Sequence, residues 1–260
     1  MELNKILAQM SETAKKAGQF FAASHHITVT AKEGHANFVT SMDTATQALV
    51  IDELSRIIDG ANFVGEEGDG AHLLQPGYNW IIDPIDGTAN FINNVRHSSV
   101  SIALVKDHTP IAGVVYNPYL DELFSACRGG GAFLNGEPIS PSNAEWKNAL
   151  IGFGTAPYNT ALCSACYSIL ADVGKNAGDV RRFASAALDL CYVASGRLDG
   201  FYELQLQVWD YAAGYLILKE AGGMIESLDG ENFDYAHSSG FVCGNSSVFP
   251  FLKETVERHI

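Results

Sequence analysis

Two aspartates stand three residues apart in Trp80-Ile81-Ile82-Asp83-Pro84-Ile85-Asp86-Gly87-Thr88. An apolar run of strand character leads into Asp83. Pro84 has no N–H for a sheet ladder and keeps the chain before it extended. Two carboxylates are thereby fixed on a stiff turn at the end of a buried strand. Like charges this close, among apolar neighbours, are costly unless one takes a proton or a cation lies between them. Magnesium suits the second solution, because it is hard, takes oxygen ligands and keeps waters for reaction. The Ile85 carbonyl could add a ligand from the same turn. Gly87 and Thr88 lead into a helix expected from about Ala89, and amides at a helix N-terminus receive phosphate well. A bare Asp-x-x-Asp is also what an Asp-Pro turn with an Asx cap looks like. The apolar strand before it and Gly-Thr after it favour the metal reading.

Other carboxylates are weaker signals one at a time. Glu66-Glu67 follows Phe63-Val64-Gly65 where a strand ends, and alone it would read as an exposed acidic turn. Asp210, between Trp209 and the helical Tyr211–Tyr215, reads alone as an N-cap, and Asp43 could equally be a cap. The eight histidines are scattered without a ligand pattern. The five cysteines look like small core residues of a reduced protein. Cys163 and Cys166 form a lone C-x-x-C inside a helical pattern with no second pair, which argues against zinc or redox chemistry.

Several elements must position these groups. Leu3, Ile6, Leu7, Met10, Ala14 and Ala17 share one helical face running to about Phe21. Thr30 to Asn37, with Lys32, Gly34 and His35, reads as a mobile loop. Asp43 or Thr44 opens a second helix that buries Val50, Leu54, Ile57 and Ile58 and ends at Asp59-Gly60. Strands are expected over 62–65, 78–83, 98–106, 111–116 and 123–128, with Gly129–Gly131 breaking the last. The second half alternates: a helix through Leu162–Val173, strands near 180–183, 198–202, 224–226 and 241–243, and helices over 184–195, 208–221 and 248–258. Mixed elements without strict alternation predict a layered α+β protein. The expectation is one unit over 1–260, with intimately joined halves of about 1–150 and 151–260.

A formal charge of -14 argues against nucleic acid as a partner. It is compatible with a phosphorylated substrate, since carboxylates recruit cations that then face phosphate. No segment approaches the ~20 apolar residues that span a bilayer. Met1-Glu2-Leu3-Asn4 lacks a secretory pattern, so the expected location is the cytoplasm.

Taken jointly, these segments resemble the inositol monophosphatase family. The resemblance rests on Gly65-Glu66-Glu67, Trp80–Thr88, and Trp209-Asp210 with Glu220-Ala221-Gly222-Gly223. It also rests on Asn37-Phe38-Val39-Thr40 with Asp43, and on Arg181-Arg182 followed by Ser185–Leu190, in family order over about residues 30–245. It implies an α+β five-layer αβαβα sandwich and a Mg2+-dependent phosphatase. By resemblance, Glu66, Asp83 and the Ile85 carbonyl hold a first magnesium, and Asp83, Asp86 and Asp210 a second. A third, weaker ion would use Glu66 and waters. Adjacent cations suit in-line displacement at phosphorus, activating water and stabilising the departing alkoxide. Glu66, or Thr88 oriented by Asp43, would take the nucleophile's proton. Gly87 and Thr88 amides would bind phosphate. Glu203 would contact substrate hydroxyls, with Ala186, Asp86 and Asp210 bordering the same pocket.

The implied substrate is a small phosphorylated polyol or sugar, inositol monophosphate first. Fructose 1,6-bisphosphate, a nucleotide 3'-phosphate and histidinol phosphate are the alternatives. Lithium sensitivity and a homodimer are implied too. Some bacterial members of the family are binding partners of the transcription machinery, a role that needs no catalysis. This chain departs from the family at Ala184, where glycine is usual, at Asn37, where aspartate is frequent, and over Gly152–Tyr158, which differs from the usual loop. Lys32 keeps the basic residue of its loop. These departures bear on the substrate rather than the reaction.

Overall fold

The computed structural model describes residues 3–24, 27–31, 38–68, 74–229, 235 and 238–260. Helix α1 (Leu3–Ala22) turns Ile6, Met10, Ala14, Ala17 and Phe21 inward, the stripe its sequence spacing predicts. Strands β1 (Val29–Ala31) and β2 (Phe38–Thr40) pair antiparallel. Thr30, expected in a loop, therefore lies in a ladder opposite Val39, where β-branched residues are at home. The rest of that expected loop, Lys32, Gly34, His35 and Asn37 included, lies outside the described residues. Helix α2 (Ser41–Ser55) follows at once.

A seven-stranded sheet comes next, its strands neighbouring one another in chain order. They are β3 (Asn62–Gly65), β4 (Tyr78–Asp86), β5 (Ser99–Lys106), β6 (Thr109–Asn117), β7 (Glu122–Cys127), β8 (Ala132–Leu134) and β9 (Glu137–Pro138), with the short helix α3 (Thr88–Ile92) after β4. Only β3 and β4 run parallel. β4 and β5 are apolar almost throughout because both faces of the sheet are covered. Trp80, Ile82, Val100, Ile102 and Leu104 pack with α1 and α2, while Ile81, Ala103 and Val105 face the opposite side. Each such isoleucine, leucine or valine, fully buried, contributes about 1.5–3 kcal/mol.

The second sheet contains β10 (Leu150–Phe153), β11 (Asp179–Arg181), β12 (Gly200–Leu206), β13 (Met224–Ser227) and β14 (Ser239–Gly244), in the order β11-β10-β12-β14-β13. β10 is parallel to both β11 and β12, and helix α4 (Cys163–Asn176) makes the crossover from β10 to β11. Helices α5 (Ala186–Ala194) and α6 (Val208–Glu220) lie between the two sheets. Every residue of α5 is buried, so it has no polar face to give it away in the sequence. α4 and α7 (Phe249–Glu257) cover the far side of the second sheet. The stack α1/α2, sheet, α5/α6, sheet, α4/α7 is the expected αβαβα sandwich.

Some elements escaped the sequence reading. Gly152 and Phe153, expected in an altered loop, close β10. Cys163 is the first residue of α4 rather than an interior one, Cys166 is buried, and the five cysteines are free. No helix among the described residues is long and apolar enough to cross a membrane.

Candidate metal centre

The ladder between β4 and β5 pairs Asp83 with Ser101 and resumes at Asp86 with Ser99. The extra residue makes a bulge, so β4 continues past Pro84 to Asp86 instead of stopping at Asp83. Inside the bulge the Ile85 N–H donates to Asp83 Oδ1 at 2.9 Å. The Ile85 carbonyl accepts the Thr88 hydroxyl at 3.0 Å. Gly87 then turns the chain into α3 at φ 87°. A Cβ there would meet the Ala184 carbonyl at 3.0 Å and the His97 carbonyl at 3.1 Å. Glycine is required by both the conformation and the space.

Asp86 is gripped by the start of α5. It accepts the Ser185 hydroxyl, the Ala187 amide at 3.0 Å and the Ala186 amide at 3.3 Å, with the Ser99 hydroxyl at 3.4 Å. Of these partners the sequence reading gave a role to Ala186 alone, as a pocket residue. Here it offers its amide. Ser185 was findable as the residue that precedes a helix, while Ser99 is set by register across the bulge.

Asp43 and Asp210 occupy equivalent positions on different helices. Neither is an N-cap. Thr40 caps α2, and Asp43 Oδ2 accepts the Thr40 amide at 2.8 Å. Gln207 precedes α6, and Asp210 Oδ2 accepts its amide at 2.7 Å. In each case one carboxylate oxygen closes the helix start. Asp43 Oδ1 accepts the Thr88 hydroxyl at 3.2 Å.

Carboxylate oxygens of Asp83, Asp86 and Asp210 lie within 4.8 Å of one another. Glu66 follows β3, its N–H donating to the Ile82 carbonyl at 3.2 Å. Gln47 braces the next residue by accepting the Glu67 amide at 3.0 Å. Glu203 arrives from β12 of the other sheet, 8% exposed, accepting the Ala156 amide at 3.1 Å. Glu220, by contrast, accepts the Gly129 and Gly131 amides at 2.9 and 3.0 Å, which fixes a turn.

Burial, then the charges of Glu66, Asp86, Asp210 and Asp43, push the Asp83 pKa well above the usual carboxylate range. Burial followed by Asp86 and Glu66 does the same for Asp210, against the opposing Gln207 amide. In Asp86 burial outweighs its four hydrogen-bond donors, and the pKa is raised. Asp43 is raised by burial, against its bonds from Thr40 and Thr88. Burial lifts Glu203 to about 7. Asp189 is buried, and burial with Glu203 and Asp86 pushes its pKa well up.

Several carboxylates with raised pKa values, crowded together, form a site short of positive charge. Their donor set is all oxygen, which fits a hard divalent cation rather than a thiolate-seeking metal. Asp83, Asp86 and Asp210 could hold such an ion.

Carboxylates from a strand end and a helix start, gathered within reach of one hard cation in an αβαβα sandwich, define a candidate metal centre. The family model described as the inositol monophosphatase family matches residues 2–260, and the chain belongs to that family. An inositol-1-monophosphatase of Rhizobium meliloti is 35% identical over 259 residues, covering 99% of this chain and 97% of the relative. The Nus factor SuhB of Escherichia coli strain K12 is 38% identical over 240 residues, 90% of this chain and 89% of its own. A solved IMPase of Thermotoga maritima superposes with a TM-score of 0.87 at 31% identity, covering 97% of this chain and 96% of that one.

Proposed function

We propose that this chain hydrolyses a small phosphate monoester, inositol monophosphate first, with Mg2+ held by Glu66, Asp83, the Ile85 carbonyl, Asp86 and Asp210. The observation that carries the reading is the convergence of Asp83, Asp86 and Asp210 within 4.8 Å, from β4 and α6, elements far apart in sequence. When bound, magnesium supplies positive charge that activates water and stabilises the leaving alkoxide. The chain's own groups do the rest. Gly87 and Thr88 offer amides at the start of α3 to the phosphoryl oxygens. The Thr88 hydroxyl, between Asp43 Oδ1 and the Ile85 carbonyl, aligns the attacking water, and Asp43 or Glu66 accepts its proton. Glu203 accepts hydrogen bonds from substrate hydroxyls, and Ala186 borders the ring. Ligands come from both halves, so residues 1–260 act as one unit; a homodimer and a cytoplasmic location belong to the same reading.

A phosphate-release assay on inositol 1-phosphate tests it. Turnover is expected with Mg2+ and lost with a chelator, and lithium is expected to inhibit. Undiminished turnover in chelator would overturn the reading. The relatives named Nus factor, 38% identical in the Escherichia coli case, favour a second reading in which the chain also associates with the transcription machinery. Pull-down from native lysate with and without Mg2+ separates the two roles.

A further inference from the structure

The four donors that hold Asp86 come from two distant parts of the chain. Ser99 lies across the β4–β5 ladder, while the Ser185 hydroxyl and the Ala186 and Ala187 amides stand 99 to 101 residues away. That grip requires the lead-in to α5 to keep a fixed distance from the end of β4. Three of the four donors meet Oδ2, and Oδ1 has the Ala186 amide alone, at 3.3 Å.

Asn90, on α3 and shortly past Asp86 in the chain, spans that distance. Its side-chain nitrogen donates to the His97 carbonyl at 2.8 Å and to the Phe183 carbonyl at 2.7 Å, with the Ala184 carbonyl at 3.4 Å. A side-chain amide carries two hydrogens, and the two shorter bonds use both. One bond closes the turn on its own half of the chain. The other crosses 93 residues to the backbone just before Ser185. The acceptors also meet through their rings, His97 and Phe183 lying 5.1 Å apart. Ala184, at φ 61°, sets its carbonyl near the same amide and against Gly87. The near side of this clasp is tied to Asp86 through α3. The Phe91 amide donates to the Gly87 carbonyl at 3.1 Å, and the Val95 amide to the Asn90 carbonyl at 2.9 Å. Asn93, exposed on the same helix, donates instead to the Ala89 carbonyl inside its own turn.

We propose that Asn90 is a positioning residue for Asp86, clasping α3 to the lead-in of α5 so that the α5 start keeps its donors on Oδ2 and Oδ1 is held for the ion. The role rests on the metal-dependent reading above and adds to it a residue that touches neither ion nor substrate. Groups that orient a metal ligand are typically worth about 10–100-fold in metal affinity. Removing the Asn90 amide takes away none of the four bonds to Asp86. It frees the two strands of backbone whose spacing those bonds require.

Calorimetric titration of Mg2+ into the metal-free protein tests it, with phosphate release from inositol 1-phosphate measured alongside. Asn90→Ala and the milder Asn90→Ser are expected to raise the Mg2+ Kd at least about tenfold, while Asn93→Ala stays within about twofold. A folded Asn90 variant whose Kd stays within about threefold, well short of an orienting group's effect, overturns the positioning role and leaves the phosphatase reading standing. It does so even if the melting temperature has dropped. Failure of both variants to fold also overturns it, since Asn90 would then serve the fold alone. An equal rise in Asn93→Ala does the same, because the effect would belong to α3 as a whole. If the unaltered protein binds Mg2+ and releases no phosphate, the phosphatase reading fails and the clasp is judged on Kd. Unaltered protein that binds no Mg2+ sinks both.

Discussion

Asp83 is 2% exposed, and its strongest charged neighbours, Glu66, Asp86 and Asp210, are all carboxylates. Its place among like charges is costly, and the proposed role as a metal ligand would relieve that cost. Asp83→Asn keeps an oxygen to accept the Ile85 N–H and removes the charge. Phosphate release is expected to drop at least a hundredfold. The metal-free fold should gain about 1–3 kcal/mol at pH 8, because one like charge has left the crowd. Urea melts in chelator beside activity assays would show it. A substituted protein that is less stable and still active would mean Asp83 serves packing.

Ala184 makes the corresponding point for a connecting element. It precedes α5 at φ 61°, and its carbonyl lies beside Gly87. A left-handed residue with a side chain costs about 1–2 kcal/mol, a cost that the glycine the resemblance implies at this position would not carry. Ala184→Gly should raise stability by about 0.5–1 kcal/mol, part of the relief being offset by the freer unfolded chain. An unchanged or lowered urea midpoint would contradict the strained geometry. What could be read from the sequence follows the same division. α1, α4 and β4 to β7 showed through periodicity and length, and the motif around Asp83 and Asp86 was visible because four apolar residues and a proline frame it. β8, β9 and β10 were not. The pairings of Asp86 were hidden for another reason: Ser99 and Ser185 reach it across 13 and 99 residues of chain, contacts that local pattern does not carry.

Across the molecule, the raised carboxylates set how stability responds to pH. Asp83, Asp86, Asp210 and Glu203 all bind protons more tightly folded than unfolded, Glu203 up to about 7. Between the usual carboxylate range and the raised values the native state holds more protons, so metal-free stability falls as pH rises. Magnesium binds the ionised form and should reverse the trend. At a hundredfold excess over Kd it adds about 2.7 kcal/mol, or roughly 5–10 °C in Tm for a chain of this size. Thermal melts at pH 5 and pH 8, with and without Mg2+, should show a larger gain at pH 8. Equal gains at both, or none, would remove the ion from this cluster. The two helix-start aspartates add a last consequence. Because Asp43 and Asp210 each close a helix start through a backbone amide, fraying of α2 or α6 would, on the proposed function, disturb the site at the same moment. On that reading, competence would be tied to the integrity of two first turns.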